Sequence, residues 1–224
     1  MNSGEFSEKK YSDSKWAGYS VPEIVRMEKV LQLVGCNKRV LDVGSYEGKY
    51  SIAIKKQNNE VYACDASEAF EKTYIDSGIN FQKVNLEKTL PYEDAFFDCV
   101  FAGEVIEHIA DTDLFIKDIN RILKPEGYLV LTTPNIGSLA RRILLLLGKN
   151  PFFEASFTFP EGAAGHLRYF TPPLLTSYLK SNNFEIIEHT SDVVSFSNKI
   201  SFSFLAKILP GLGRSIVLKC QKRS

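Results

Sequence analysis

The sequence predicts an α/β fold built on a doubly wound, mostly parallel sheet, and three observations carry that prediction. Short β-rich runs alternate with helical stretches between residues 39 and 133, the rhythm of successive βαβ units with right-handed crossovers. A glycine-containing turn, Asp42-Val43-Gly44-Ser45-Tyr46-Glu47-Gly48, directly follows the first of those runs, as ligand loops do at the carboxyl edge of a parallel strand. The chain has 224 residues, 44% of them hydrophobic and 12% aromatic, which is enough for one full-sized core and far from a disordered composition.

Taken in order, residues 1–20 are polar and Ser/Lys-rich, with Trp16 and Tyr19 interspersed, and read as a flexible N-terminal arm before a single domain over 21–224. From Pro22 to Leu33 the apolar residues Ile24, Val25, Met27, Val30 and Leu31 recur at helical spacing. Strands follow at Arg39 to Val43, Glu60 to Asp65, Asn80 to Val84, Phe97 to Ala102 and Tyr128 to Thr133. Helices are expected at Tyr46 to Lys56, Ser67 to Asp76 and Thr112 to Leu123. Lys124-Pro125-Glu126-Gly127 has Pro and Gly where a turn wants them. Beyond Pro134 come a helix at Ser138 to Leu147, a Phe/Gly-rich loop to Phe170, and a helix to Lys180 with Thr171 as N-cap and Pro172 in its first turn. Phe184 to Glu188 and Arg214 to Lys219 close the chain as strands.

Charge and cysteine usage exclude several classes of partner. Twenty-seven basic and 27 acidic side chains leave a formal net charge of zero, against the basic surface that counterion-releasing nucleic-acid binding needs. No nucleic-acid partner is expected. The zero hides an asymmetry: Glu60 to Glu126 is strongly acidic, while no acid follows Asp192 and six bases do, Lys199, Lys207, Arg214, Lys219, Lys222 and Arg223. Cys36, Cys64, Cys99 and Cys220 form no CxxC pair, and Cys64 and Cys99 lie in apolar runs where a free thiol acts as a small hydrophobe. The N-terminus lacks the apolar core of a signal peptide, and the longest all-aliphatic run, Ile143 to Leu147, is far below the roughly 20 residues of a membrane span. A cytoplasmic location is expected.

The glycine turn separates two kinds of nucleotide. A pyrophosphate loop spaces its glycines G-x-G-x-x-G, whereas Gly44 and Gly48 are spaced G-x-x-x-G and an acid, Asp42, ends the strand. That carboxyl group disfavours NAD and suits a ligand carrying an ammonium group. The next strand ends in Asp65, 17 residues after Gly48, close to the roughly 20-residue interval at which an acid reaches a ribose diol. Two acids and a glycine turn match a nucleoside joined to a cationic amino acid.

VLDVGSYEGKYS, VYACDAS, VNLEKTLPYEDAFFDCVFAGEVIEHI, LKPEGYLVLTTPN and GHLRYFTPPLLTSYLKSNNFEII resemble, in order, the motifs of the class I S-adenosylmethionine-dependent methyltransferases of the small-molecule branch. The resemblance covers Leu31 to Thr190. It implies a Rossmann-like sheet of about seven strands with an antiparallel last strand, an inserted substrate cap over 135–180, and S-adenosyl-L-methionine as cofactor with S-adenosyl-L-homocysteine as product. It also implies that Asp42 and Gly44 line the methionine end with Ser45, Tyr46 and Gly48 completing the loop. Asp65 would hold the ribose, Ala66 would border the adenine, Asn85 and Leu86 would meet its edge, and Gly103 would face the methionyl group. The family usually has Gly where this chain has Tyr46; the ring either swings outward or trims the pocket.

Methyl transfer is an in-line displacement that proximity, alignment and water exclusion accelerate, with a general base required only for a protonated acceptor. Glu104-Val105-Ile106-Glu107-His108 follows the fourth strand. On a helix, Glu104, Glu107 and His108 share one face. His108 is the first candidate for a base or substrate-orienting group, Glu104 and His166 are further catalytic candidates, and a packing role is the alternative. In quinone-precursor O-methyltransferases and small-RNA terminal methyltransferases a similar E-x-x-E-H supports a divalent ion, so the resemblance admits Mg²⁺ at Glu104, Glu107 and His108, although no metal is the leading expectation. Arg168, beside His166, either closes over the acceptor or anchors its own loop.

The expected cap is aromatic, with Phe152, Phe153, Phe157, Phe159, Tyr169 and Phe170, which points to an apolar or ring-bearing small-molecule acceptor. Arg141-Arg142 precede an aliphatic run, and the acid-free tail interleaves cations with Phe202, Phe204, Leu205, Ile208 and Leu209, the ingredients of peripheral contact with anionic lipid. A non-catalytic binding protein of the same fold is the competing reading.

Overall fold

A computed structural model describes residues 20–151, 165–197 and 200–223. The arm over residues 1–19, with Trp16 and Tyr19, the cap phenylalanines Phe152, Phe153, Phe157 and Phe159, and Lys199 lie outside the described residues.

Nine strands are described: β1 (Arg39–Val43), β2 (Glu60–Asp65), β3 (Asn80–Lys83), β4 (Phe97–Gly103), β5 (Leu123–Pro134), β6 (Phe184–Thr190), β7 (Val194–Ser197), β8 (Ile200–Phe202) and β9 (Ser215–Lys222). Seven form one sheet in the order β3-β2-β1-β4-β5-β9-β6, and β7 and β8 pair separately. β9, the last strand, runs antiparallel to both neighbours while the other six share one direction. The doubly wound, mostly parallel sheet is therefore present, and the strand order reverses direction on either side of β1, which opens a crevice between the carboxyl ends of β1 and β4.

Helices cover both faces. On one side lie α1 (Val21–Val34), α2 (Lys49–Lys55) and α3 (Glu71–Asp76), burying Val30, Val34, Ile54 and Tyr74 with Val40, Ala63 and Phe101 of the sheet. On the other lie α4 (Thr112–Ile122) and α6 (Pro172–Ser181), burying Phe115, Ile116, Ile119, Leu175 and Leu179 with Leu41, Val100 and Leu129. The ends of these helices are written in the sequence. Ser20 and Glu23 make a capping box that starts α1, and Asp111 caps α4 by accepting from the Leu114 amide at 2.9 Å. α5 (Leu139–Leu146) and α7 (Ser203–Ile208) complete the helices. The end of the stretch expected as cap, α6, packs on the sheet itself.

Three local expectations differ from the structure. α2 starts at Lys49 rather than Tyr46 because Tyr46 (φ 45°) and Gly48 (φ 76°) are left-handed and break any helical run through them. α3 starts at Glu71 rather than Ser67 because the Ser67 amide is taken by Asp65 Oδ1 at 2.9 Å and the Ala69 amide by Ser67 Oγ at 3.2 Å. Lys124–Gly127 is no turn: β5 runs through it, with Glu126 left-handed (φ 62°) and the pairing to β4 shifting from Phe97↔Leu123 to Cys99↔Tyr128, a bulge. The sequence also gave no sign of β7, β8 or α7. Cys64, Cys99 and Cys220 are buried free thiols.

Candidate functional site

The loop after β1 is fixed by two left-handed glycines. Gly44 has φ 69°, and a Cβ there would collide with the Val105 side chain; Gly48 has φ 76° and abuts the Tyr74 ring. The Gly44 amide donates to the Cys64 carbonyl at 2.8 Å. The Tyr74 hydroxyl, 2.7 Å from Ser45 Oγ, donates to the Tyr46 carbonyl at 2.8 Å. Asp65, at the end of β2, accepts from the Tyr46 amide at 2.9 Å through Oδ2. The Tyr46 ring swings outward: it is 63% exposed and packs edge-on against Phe70 with centroids 5.2 Å apart. It does not trim the pocket from within.

Asp42 is buried under α2, where Ser51 Oγ donates to its Oδ2. Burial pushes its carboxyl group up to about 7, and the neighbouring Asp65 adds to the shift. Ala66 is exposed beside Asp65. The chain after β3 is tied back by the Val84 amide, which donates to the Asp65 carbonyl at 2.8 Å, so Asn85 and the partly buried Leu86 flank the same crevice. A Cβ on Gly103 would meet the Phe101 ring. Gly44, Gly48 and Gly103 exclude a Cβ, and an acid stands at each of two neighbouring strand ends, Asp65 partly exposed and Asp42 buried.

The segment after β4 is not the helix on which Glu104, Glu107 and His108 would share a face. Glu104 is left-handed (φ 57°), and one 3₁₀ turn, Ile106–His108, follows. The break turns Glu104 away: its Oε1 accepts from Thr132 Oγ1 at 2.8 Å and its Oε2 meets Arg26 Nη1 at 3.0 Å. Arg26 is partly buried, its side chain 16% exposed, and Glu104 holds its guanidinium charged against that desolvation. Glu104 is thereby committed to joining α1 to the sheet.

Glu107 takes its place. It is 1% exposed, with Oε2 accepting from Thr133 Oγ1 at 2.8 Å and Oε1 lacking a hydrogen-bond partner among the described residues. Burial, then the charge of Glu104, pushes its carboxyl group up to about 8. His166 joins from the far side of the cap: the His108 and His166 rings meet edge to face at 4.7 Å. One ligand atom each from Glu107, His108 and His166 lies within 4.8 Å of the others. The Glu107 carbonyl accepts from the Leu167 and Arg168 amides at 2.8 and 3.1 Å, and Arg168 donates to the Ile109 and Ala110 carbonyls at 2.6 Å, so Arg168 anchors the loop that brings His166 in. Sequence reasoning missed Arg26, Thr132, Thr133 and the grouping of Glu107 with His166. The LTTPN stretch held the two threonines in view, but only strand register sets them opposite the two glutamates.

Residues 24–189 match the model of a methyltransferase domain family. The chain belongs to that family. It is 29% identical over 187 residues to the ubiquinone biosynthesis O-methyltransferase of Bradyrhizobium diazoefficiens, covering 80% of this chain and 72% of that protein. It is 26% identical to the mitochondrial ubiquinone biosynthesis O-methyltransferase of Bos taurus over 66% of this chain, but spans only 41% of that protein's length. A similar solved fold is the Burkholderia thailandensis 1,6-didemethyltoxoflavin-N1-methyltransferase with bound 1,6-didemethyltoxoflavin and S-adenosylhomocysteine, with TM-score 0.63, 14% identity, and 99% and 87% of the two chains covered. The protein is a methyltransferase, an enzyme on a Rossmann-like sheet. No helix among the described residues is long and apolar enough to cross a membrane.

Proposed function

We propose that the enzyme methylates an oxygen of a small, apolar, ring-bearing acceptor, lipid-linked in its native form. The observation that carries this reading is the Glu107–His108–His166 cluster at the carboxyl end of β4, next to Gly103; the names of the relatives support oxygen as the receiving atom. S-adenosylmethionine supplies a methyl group on a positively charged sulfur that leaves as the neutral thioether of S-adenosylhomocysteine. Asp65, Asn85 and the Gly44–Gly48 loop hold the nucleoside and methionine parts. His108, exposed on the acceptor side, takes the proton of the acceptor hydroxyl as its oxygen bonds to the methyl carbon. His166 steers the acceptor, and the proton taken by His108 passes on to solvent, to which that ring is exposed. Mass spectrometry of reactions with alkyl-substituted catechols and alkyl-substituted anilines tests the assignment: a methyl ether product is expected, and a product methylated on nitrogen alone contradicts it.

A second reading of the same cluster is a divalent-cation site, favoured by the unpartnered Oε1 of buried Glu107. One carboxylate with two imidazoles suits a borderline transition ion better than Mg²⁺. Loss of activity in chelator, restored by Mn²⁺ or Zn²⁺, supports it; full activity in chelator removes it.

Peripheral contact with an anionic membrane completes the proposal. Its support is the exposure of Leu145 and Leu146 on α5, of Leu147 just after it, and of Phe204 and Ile208 on α7, together with the exposed cations Lys207 and Arg214. Two tail cations are engaged elsewhere: Lys219 Nζ donates to the Leu33 carbonyl and Lys222 Nζ to the Leu123 carbonyl. Co-sedimentation with phosphatidylglycerol vesicles, lost in a Lys207→Gln/Arg214→Gln variant, is expected.

A further inference from the structure

A cavity of about 690 Å³ opens at the far edge of the sheet, lined by α5, the start of α6, the end of β6 and the 3₁₀ turn Pro210–Leu212 that precedes β9. It lies within the size range of small-molecule sites, roughly 300–1,000 Å³. Its β6 wall lies apart from the β4 end, where methyl transfer is proposed. β6 is three strands removed from β4 in the sheet, roughly 14 Å at the usual strand spacing. Buried Asn135, bonded to the Gly211 and Gly213 carbonyls, closes the sheet side.

We infer that this cavity is a second binding site, for an amphiphile with an acidic head and an apolar chain. Pro172, Pro173, Leu209 and Leu212 supply its apolar side chains. Thr176 adds to them, because its hydroxyl donates to the Pro172 carbonyl at 2.8 Å and so is occupied. Partial burial lowers the His189 pKa, and its Nε2 lacks a partner among the described residues. Arg142 is the one lining side chain with a fixed charge. Its Nε donates to the Gly137 carbonyl at 2.6 Å, which holds the guanidinium in place, and no carboxylate pairs with it among the described residues. A positioned, unpaired guanidinium on an apolar wall recognises a carboxylate or phosphate oxygen attached to hydrocarbon. The surroundings admit a chain: Leu209 on the wall is 49% exposed, and past Arg142 the end of α5 and the residue after it present exposed Leu145, Leu146 and Leu147.

The test is calorimetry on the whole chain saturated with S-adenosylhomocysteine, titrated with decanoate, decanol and acetate. Saturable decanoate binding is expected, with decanol weaker by about tenfold, as loss of a charge-assisted hydrogen bond implies, and no binding of acetate. Arg142→Gln lowers decanoate affinity by about tenfold and leaves decanol unchanged; Arg142→Lys restores part of it. Leu212→Trp, which fills the cavity, abolishes binding of both. Equal decanoate affinity in the wild type and Arg142→Gln overturns the proposal, and so does undiminished binding in Leu212→Trp, which would put the ligand elsewhere. If Arg142→Gln loses its cooperative melting transition, Leu212→Trp decides alone.

Discussion

The Tyr46 amide donates to Asp65 Oδ2 at 2.9 Å, tying the glycine loop after β1 to the acid at the end of β2. One side chain thus shapes the loop and, in the proposed function, also holds the ribose. Asp65→Ala is expected to weaken S-adenosylhomocysteine binding by more than about tenfold, since a hydrogen bond to a charged group is worth roughly 1.5–3 kcal/mol. Calorimetry checks it, and unchanged affinity refutes the ribose role.

Gly44→Ala forces an alanine into a left-handed position, roughly 1–2 kcal/mol, and drives its methyl group into Val105, an overpacking of roughly 1–3 kcal/mol. A lowered denaturation midpoint is expected, with partial recovery in the Gly44→Ala/Val105→Ala double variant. Failure of the second change to recover stability excludes the clash as the cause.

Arg26 bridges α1 to Glu104 at 3.0 Å and to Ser215 Oγ at 3.1 Å. Removing one partner of such a pair leaves a charge without compensation, at a cost of about 3–5 kcal/mol when both are buried; Glu104 is 29% exposed, so the lower end applies. Arg26→Ala is expected to lose about 3 kcal/mol in urea unfolding and Arg26→Lys distinctly less. Equal losses would deny the ion pair its role.

Asp42 sets a pH dependence. Its folded-state value of about 7 stands above the usual carboxyl value of 3.8 because burial penalises the charged form. A raised value contributes stability that is fully present below the unfolded value and is lost as pH rises through the folded one. The ligand-free protein should therefore lose stability between about pH 4 and pH 7 through this group, and Asp42→Asn should flatten that slope. A slope unchanged in Asp42→Asn assigns the dependence elsewhere; Glu107, raised to about 8 by burial, acts in the same direction.

How much was legible follows from the range of the interactions involved. The strand–helix alternation, the Gly44–Gly48 turn and Asp65 are local patterns, and the sequence carried them. The Glu104–His108 segment failed on a local reading because the left-handed Glu104 is imposed from outside, by Thr132 on the next strand and Arg26 on α1. His166 stands 58 positions from His108, and the Leu167 and Arg168 amides on the Glu107 carbonyl, with the Arg168 guanidinium, bring the two together. The basic tail read as one feature, yet the alternation that makes β9 a buried central strand sends Lys219 and Lys222 to backbone carbonyls. β7 and β8 are only four and three residues long, too short for their alternation to stand out.

The central claim is that the cluster at the end of β4 handles the acceptor's proton. The most direct test follows a tritiated methyl group from S-adenosylmethionine to an alkylcatechol in the wild type and in His108→Gln, with S-adenosylhomocysteine affinity measured alongside. Label in the ether product, a rate lowered by about 100-fold or more in the variant, and unchanged cofactor affinity are predicted. An undiminished rate in His108→Gln would contradict the account.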